Sequence, residues 1–177
     1  MEVSATLQQP SGESMPPLMG EVFTAWQRIC GDRAMPLWLD FHLDEISPKA
    51  LPWCAVVDVT YDPLDFIYSF YGTRRRQMQG SEYTGRSVKE IQPPKFAEKA
   101  CKELGYVLER RAPVHIVTNC TSSLDNPIIY DILRAPFCNE DQVITQILTL
   151  VVGGPNFSRV YEMYGTRAPL FLDNFDR

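Results

Sequence analysis

The sequence predicts an α+β domain: one antiparallel sheet of five strands with helices on one face, preceded by an N-terminal amphipathic helix. Three observations carry this. Two apolar, β-branched and aromatic runs flank a turn sequence, Tyr61-Asp62-Pro63-Leu64-Asp65. A segment over residues 95–110 then repeats apolar residues at helical spacing, and three further strand-like runs close the pattern, separated by turn signals. Runs of strands interrupted by one block of helix read as α+β, because parallel βαβ units would alternate the two.

The chain has 177 residues, 45% of them hydrophobic and 22% charged, enough for one domain with a real core and too few for two. Its formal net charge is −5, which removes the diffuse positive field that nucleic acids or anionic membranes attract, so neither is an expected partner. Five cysteines, an odd number without a C-x-x-C pair, suggest neither a disulfide framework nor a zinc site. Neither a secretory leader nor an apolar run of about 18 residues is present, so the expected location is cytoplasmic.

Residues 1–20 are rich in Ser, Pro, Gln and Gly and are expected to form a flexible tail outside the core. The domain is then expected over residues 21–153, with residues 154–177 as a C-terminal extension. Val22, Phe23, Trp26, Ile29 and Cys30 form one stripe at helical spacing, and Gly31 terminates the run. Two roles are open for the Val22, Trp26 and Ile29 face: core packing, or pairing with a second copy in a homodimer. Pro36, Pro48 and Pro52 confine residues 32–53 to short helical pieces anchored by Trp38, Phe41, Leu43, Ile46 and Leu51.

Residues 54–60 and 66–71 are the first two strands, a hairpin about the Asp-Pro turn. Residues 65–92 form the stretch around which the chain is organised: it leaves the sheet at Gly72, is broken again at Gly80 and Gly85, and folds across the sheet as the cover of a cavity. Pro93-Pro94 start the long helix. Residues 114–121, 128–137 and 143–152 form an antiparallel meander with turns at Asn126-Pro127 and Asn139-Glu140-Asp141. The C-terminal aromatics Phe157, Tyr161, Tyr164, Phe171 and Phe175 imply that the extension packs.

The hairpin Val56-Val57-Asp58-Val59 to Pro63-Leu64-Asp65-Phe66-Ile67-Tyr68, followed by Tyr71-Gly72-Thr73-Arg74 and Thr84-Gly85-Arg86-Ser87-Val88, resembles a bacterial PAS subfamily with the recurring signature DPLDF-x-Y, GT-R, TG. The resemblance covers residues 26–152. It implies a sensory or protein-interaction module and not an enzyme, working through a homodimer or a signalling partner and open to a small-molecule ligand.

The cofactor chemistries of such domains depend on particular residues. Flavin-binding light-oxygen-voltage domains carry a reactive cysteine in the segment that here reads Gly85-Arg86-Ser87-Val88-Lys89-Glu90-Ile91-Gln92; Val88 stands in its place and Ser87 replaces an asparagine, which removes adduct chemistry. Haem-binding relatives supply an axial histidine from the long helix, and residues 95–110 contain none. The chain's two histidines are His42 and His115.

The candidate ligand-binding residues are Arg74, Tyr68, Tyr71, Tyr83, Tyr106, Thr118 and Tyr130. Arg74, just after the strand-ending glycine, is placed to hold a carboxylate or phosphate, or else to pair with Asp58 or Glu82. The hydroxyls could line a cavity, although tyrosines at this density also serve as core. Arg74-Arg75-Arg76 reads otherwise as a solvated turn of helix. Cys101 and Cys120 are read as inert buried thiols. Asp58, Asp131 and His115 are the acid–base candidates for the alternative reading of an enzyme; the chain has no nucleophile motif, paired-histidine spacing or phosphate loop.

Overall fold

A computed structural model describes residues 2–11, 14–121 and 126–166. In chain order the elements are β1 (Glu2–Gln8), α1 (Pro17–Cys30), β2 (Cys54–Tyr61), β3 (Leu64–Tyr71), α2 (Thr73–Gln79), α3 (Pro94–Arg110), β4 (Val114–Thr121), β5 (Ile128–Cys138), β6 (Ile144–Gly153) and α4 (Val160–Tyr164), with short 3₁₀ turns between them. The α+β class holds, and the long helix lies within one residue of the bounds read from periodicity, while α1 begins four residues ahead of the expected start at residue 21. The sheet, however, has six strands, all antiparallel, in the order β1-β4-β5-β6-β2-β3.

The sixth strand corrects the expected N-terminal tail. Glu2–Gln8 pairs along its whole length with β4, Ala5 opposite Thr118 and Leu7 opposite Ile116. Val3, Ala5 and Leu7 alternate with Ser4, Thr6 and Gln8, a period-two pattern too weakly apolar to declare itself. It becomes a strand because β4 offers it an unpaired edge. The tail reading also ended too late, since α1 begins at Pro17, where a proline in the first helical turn loses no hydrogen bond.

One face of the sheet carries α1. Met19, Val22, Trp26 and Cys30 are buried there, and the Trp26 indole N–H donates to the Pro136 carbonyl of β5 across 2.8 Å. Of the two roles open for the stripe, Val22 and Trp26 therefore take core packing, while Ile29 is half-buried beside them. A homodimer seam over Val22 and Trp26 would compete with the chain's own sheet for the same apolar surface.

The other face carries α2, α3 and α4. The β3 strand runs into α2 through Gly72, whose N–H donates to the Cys54 carbonyl at 2.9 Å; a Cβ on Gly72 would lie 2.3 Å from the Pro52 carbonyl oxygen. Only glycine permits so close a passage of two backbones. Gly80, in the left-handed conformation (φ 69°), ends α2. Beyond it, the segment to Ile91 lies along the free edge of β3: Tyr68 exchanges backbone hydrogen bonds with Gly85 and Arg86 at 2.7 and 3.0 Å. The Asp65 carboxylate fastens the same edge, accepting from the Phe66 N–H and the Ser87 hydroxyl, both at 2.8 Å, with the Lys89 ammonium 3.2 Å away. Burial pushes this carboxyl up, but those partners outweigh it and hold it below the ordinary range. The signature residues thus close an edge as well as a turn.

The domain also extends past the expected boundary at residue 153. Phe157 is buried against Trp53 and Tyr130, and Tyr161 and Met163 are buried in α4. Tyr164 packs on Phe96 of α3 at 4.7 Å between ring centroids. Phe171 and Phe175 lie outside the described residues.

Candidate functional site

Between the sheet and the α2, α3 and α4 side lies a small cavity of about 40 Å³ lined by Tyr68, Arg75, Gln79, Lys99, Glu103, Tyr130, Arg134 and Tyr164 together with apolar side chains. That volume suits a few water molecules or an equally small solute, not a tricyclic cofactor. Strand alternation aims Tyr130, Ile132 and Arg134 of β5 into it, and helical spacing brings Lys99 and Glu103 over it from α3.

The interior is unusually ionic. Arg134 Nη2 donates to Glu103 Oε2 at 2.6 Å, its Nε reaches the same oxygen at 3.2 Å, and its Nη1 donates to Thr149 at 3.0 Å. Lys99 Nζ donates to the other Glu103 oxygen and, at 3.1 Å, to the Thr118 hydroxyl. Burial alone would raise the Glu103 carboxyl, yet Arg134 and Lys99 outweigh that and hold it below the usual carboxylate range. Burial lowers the Lys99 ammonium in spite of the attraction of Glu103. Burial also pushes the phenols of Tyr68, Tyr71, Tyr130 and Tyr164 up, so they are neutral hydroxyls near pH 7 and supply no counter-charge.

Arg75 is the exception to this pairing. It is 6% exposed, its guanidinium carbon sits 5.3 Å from the centre of the Tyr71 ring, and its Nε and Nη1 make no hydrogen bond of full geometry, the Tyr71 hydroxyl standing beside the guanidinium. The Tyr71 hydroxyl beside Arg75 and the Gln79 Oε1 near Tyr164 are likewise buried without a partner at full hydrogen-bond geometry. Buried N–H groups are nearly always satisfied, so an orphaned guanidinium marks either strain or a missing partner.

The structure sorts the sequence candidates as follows. Tyr68 and Tyr130 line the cavity, and Thr118 holds Lys99 at its margin. Tyr71 stands behind Arg75, in edge contact with Tyr68 at 4.8 Å. Tyr83 belongs to the wall outside, its hydroxyl accepting the Gln92 N–H at 3.1 Å. Tyr106 stands outside this cavity: it lines the adjoining groove between α3 and β1, which Lys99 and Glu103 also border, with Arg110 stacked on its ring. Arg74 is also corrected. Its side chain is half-exposed and donates to Gln77 on its own helix, because a one-residue step turns a helical side chain by about 100°. The inward arginine is Arg75, four residues after Tyr71 and three before Met78. Arg76 is exposed near Glu82, so only two members of the triple are solvated.

Lys99, Glu103, Arg134, Gln79 and Tyr164 were missed as site residues. A signal existed for two of them: Glu103 falls on the apolar stripe of Phe96, Ala100 and Val107, and Arg134 continues the inward phase of Tyr130 and Ile132. The acid–base candidates occupy the opposite face. His115 Nε2 lies 2.6 Å from Asp131, and Asp58 accepts from Ser69 at 2.9 Å, all away from the cavity. All five cysteines are unpaired; burial pushes the Cys101 and Cys120 thiols up, the direction of inert groups. Among the described residues no group of three or more His, Cys, Asp or Glu could hold a metal, and no helix is long and apolar enough to cross a membrane.

No protein-family model matches the sequence, and no curated protein matches it. Solved structures do. The chain is similar to the PAS domain of the histidine kinase ThkA, with 18% identity and a TM-score of 0.39 over 55% of this chain and 96% of that one. A sensory box sensor histidine kinase from Vibrio cholerae matches at 13% identity and a TM-score of 0.39, over 56% of this chain and 77% of the other. The fungal blue-light photoreceptor Vivid, in its light-state dimer, matches at 12% and 0.43, over 78% and 95%. Likeness at this level concerns the course of the backbone and does not bear on ligand or activity.

Proposed function

We propose that the chain is a non-catalytic sensory module of the PAS type, which takes a small molecule into the cavity beneath α2 and α3 and passes on its state by associating with a second copy or a signalling partner. The observation that carries this is Arg75: a guanidinium held 6% exposed in a cavity wall, with two nitrogens that make no hydrogen bond of full geometry and no described acid beside it. A structural arginine would be expected to spend those donors on carbonyls or carboxylates, as Arg134 does. The element order shared with the resemblance stated above supports the sensory reading, and the absence of His115, Asp131 and Asp58 from the cavity supports the non-catalytic one.

Transmission would run through α2 and α4, which both touch the cavity, Arg75 and Gln79 from one and Tyr164 from the other. Association has a natural place at β1, an edge strand whose outer side pairs with no other described strand. The test is native mass spectrometry of protein purified gently from its own host, set against the denatured mass. A stoichiometric extra mass is expected, and its loss in an Arg75→Met variant ties it to the cavity. A clean apo mass in the wild type would sink the ligand-gated part of the proposal and leave an association module.

A further inference from the structure

We infer that the ligand of this cavity is a small anion, a carboxylate or inorganic oxyanion of no more than a few heavy atoms, bound against Arg75 beneath α2 and α3. The inference rests on the proposal that the cavity takes a ligand at all, and it concerns only which chemistry fits.

The charges on the cavity wall do not balance. Arg75, Lys99 and Arg134 face a single carboxylate, Glu103, and that carboxylate is already divided between Lys99 and Arg134. Among the described residues, three cations against one anion leave the wall with two positive charges in excess, and uncompensated charge away from water is among the most costly arrangements a fold can keep. The tyrosines around it present hydroxyls that can donate, and Gln79, with its Oε1 unpartnered, can present its amide N–H₂ by a turn about its terminal bond. Donors therefore surround the space, and the one acid among the described lining residues is committed elsewhere. A cation or a neutral acceptor-poor solute finds no site there. Water could solvate Arg75, but it would neutralise nothing.

Size narrows the class. About 40 Å³ corresponds to roughly three water positions, which admits chloride, nitrate, bicarbonate or acetate and turns away sugars, nucleotides and long-chain acids. Planar oxyanions match a guanidinium best, since each oxygen can accept a charge-assisted hydrogen bond from it.

The experiment is a set of thermal melts of the full chain, with sodium nitrate, acetate or chloride exchanged for sodium gluconate at constant ionic strength. Gluconate shares the carboxylate and is too bulky to enter. A saturable rise in Tm with at least one small anion and none with gluconate is expected. In Arg75→Met the apparent affinity should fall at least about tenfold, as for loss of a charge-assisted hydrogen bond. Lys102→Gln, an exposed neighbour on α3, should keep the wild-type response. The inference is overturned if none of the three salts gives a saturable shift, or if the shift persists undiminished in Arg75→Met. A stoichiometric neutral or cationic mass by native mass spectrometry, with flat melts, would overturn the anion and leave the sensory reading standing. Flat melts together with a clean apo mass would remove both.

Discussion

Replacing Arg75 with methionine should make the anion-free protein more stable, which is the reverse of what truncating a buried residue usually does. Two orphaned N–H-bearing nitrogens, Nε and Nη1, each carry a desolvation cost of about 1–3 kcal/mol. Against this stands the contact with the Tyr71 ring, 5.3 Å from the guanidinium carbon, which contributes about 0.5–2 kcal/mol. Methionine keeps the length of the stem and fills irregular space, so little cavity is opened. Taking about 3 kcal/mol for the two nitrogens and about 1 for the ring leaves a net gain of roughly 2 kcal/mol. For a chain of this size that is a Tm increase of about 4–8 °C. The assay is a thermal melt in gluconate, repeated as a urea titration to confirm that the slope is unchanged. An unchanged or lower stability in Arg75→Met would refute the reasoning, because it would show that the guanidinium is a satisfied structural group.

Further outcomes follow from the same network and its supports. Glu103→Gln leaves Lys99 and Arg134 without their shared carboxylate and should cost about 3–5 kcal/mol, read as a fall in Tm of roughly 6–20 °C. Because Glu103 in the fold titrates below its ordinary value of 4.5, its contribution is present above that pH and disappears as pH falls through the folded value; Tm against pH should slope downward there in the wild type and lose that component in the glutamine variant. Gly72→Ala forces a methyl to 2.3 Å from the Pro52 carbonyl and 2.7 Å from that of Cys54, and should lower the urea midpoint by the equivalent of about 1–3 kcal/mol. Trp26→Phe orphans the Pro136 carbonyl under α1 and should cost about 1–3 kcal/mol while leaving any anion response intact, since α1 lies on the other face of the sheet.

Much of the architecture is written locally. Five strands, the long helix and the turn at Asn139 follow from periods of 2 and 3.6 and from glycine and proline, because those patterns set backbone geometry within a few residues. The exit from the sheet at Gly72 was likewise legible, whereas the fastening of the β3 edge by Asp65 was not, since its partners Ser87 and Lys89 lie more than twenty residues on. Three things were decided elsewhere. Glu2–Gln8 is a strand only because β4 presents an open edge, and Val22 and Trp26 are core only because β5 and β6 lie beneath them. The difference between Arg74 and Arg75 is a difference of helical phase, and that phase is fixed by where Gly72 releases the chain from the sheet. The cavity's charge is the clearest case. Arg75, Lys99, Glu103 and Arg134 stand on three elements up to 59 positions apart, and no local pattern says that three cations there meet one acid, which pairs with only two of them. Sequence alone determined the α+β class, the hairpin and the long helix, since each is built from neighbours. Only the tertiary structure determined the ionic interior, because burial and charge balance are properties of surfaces brought together.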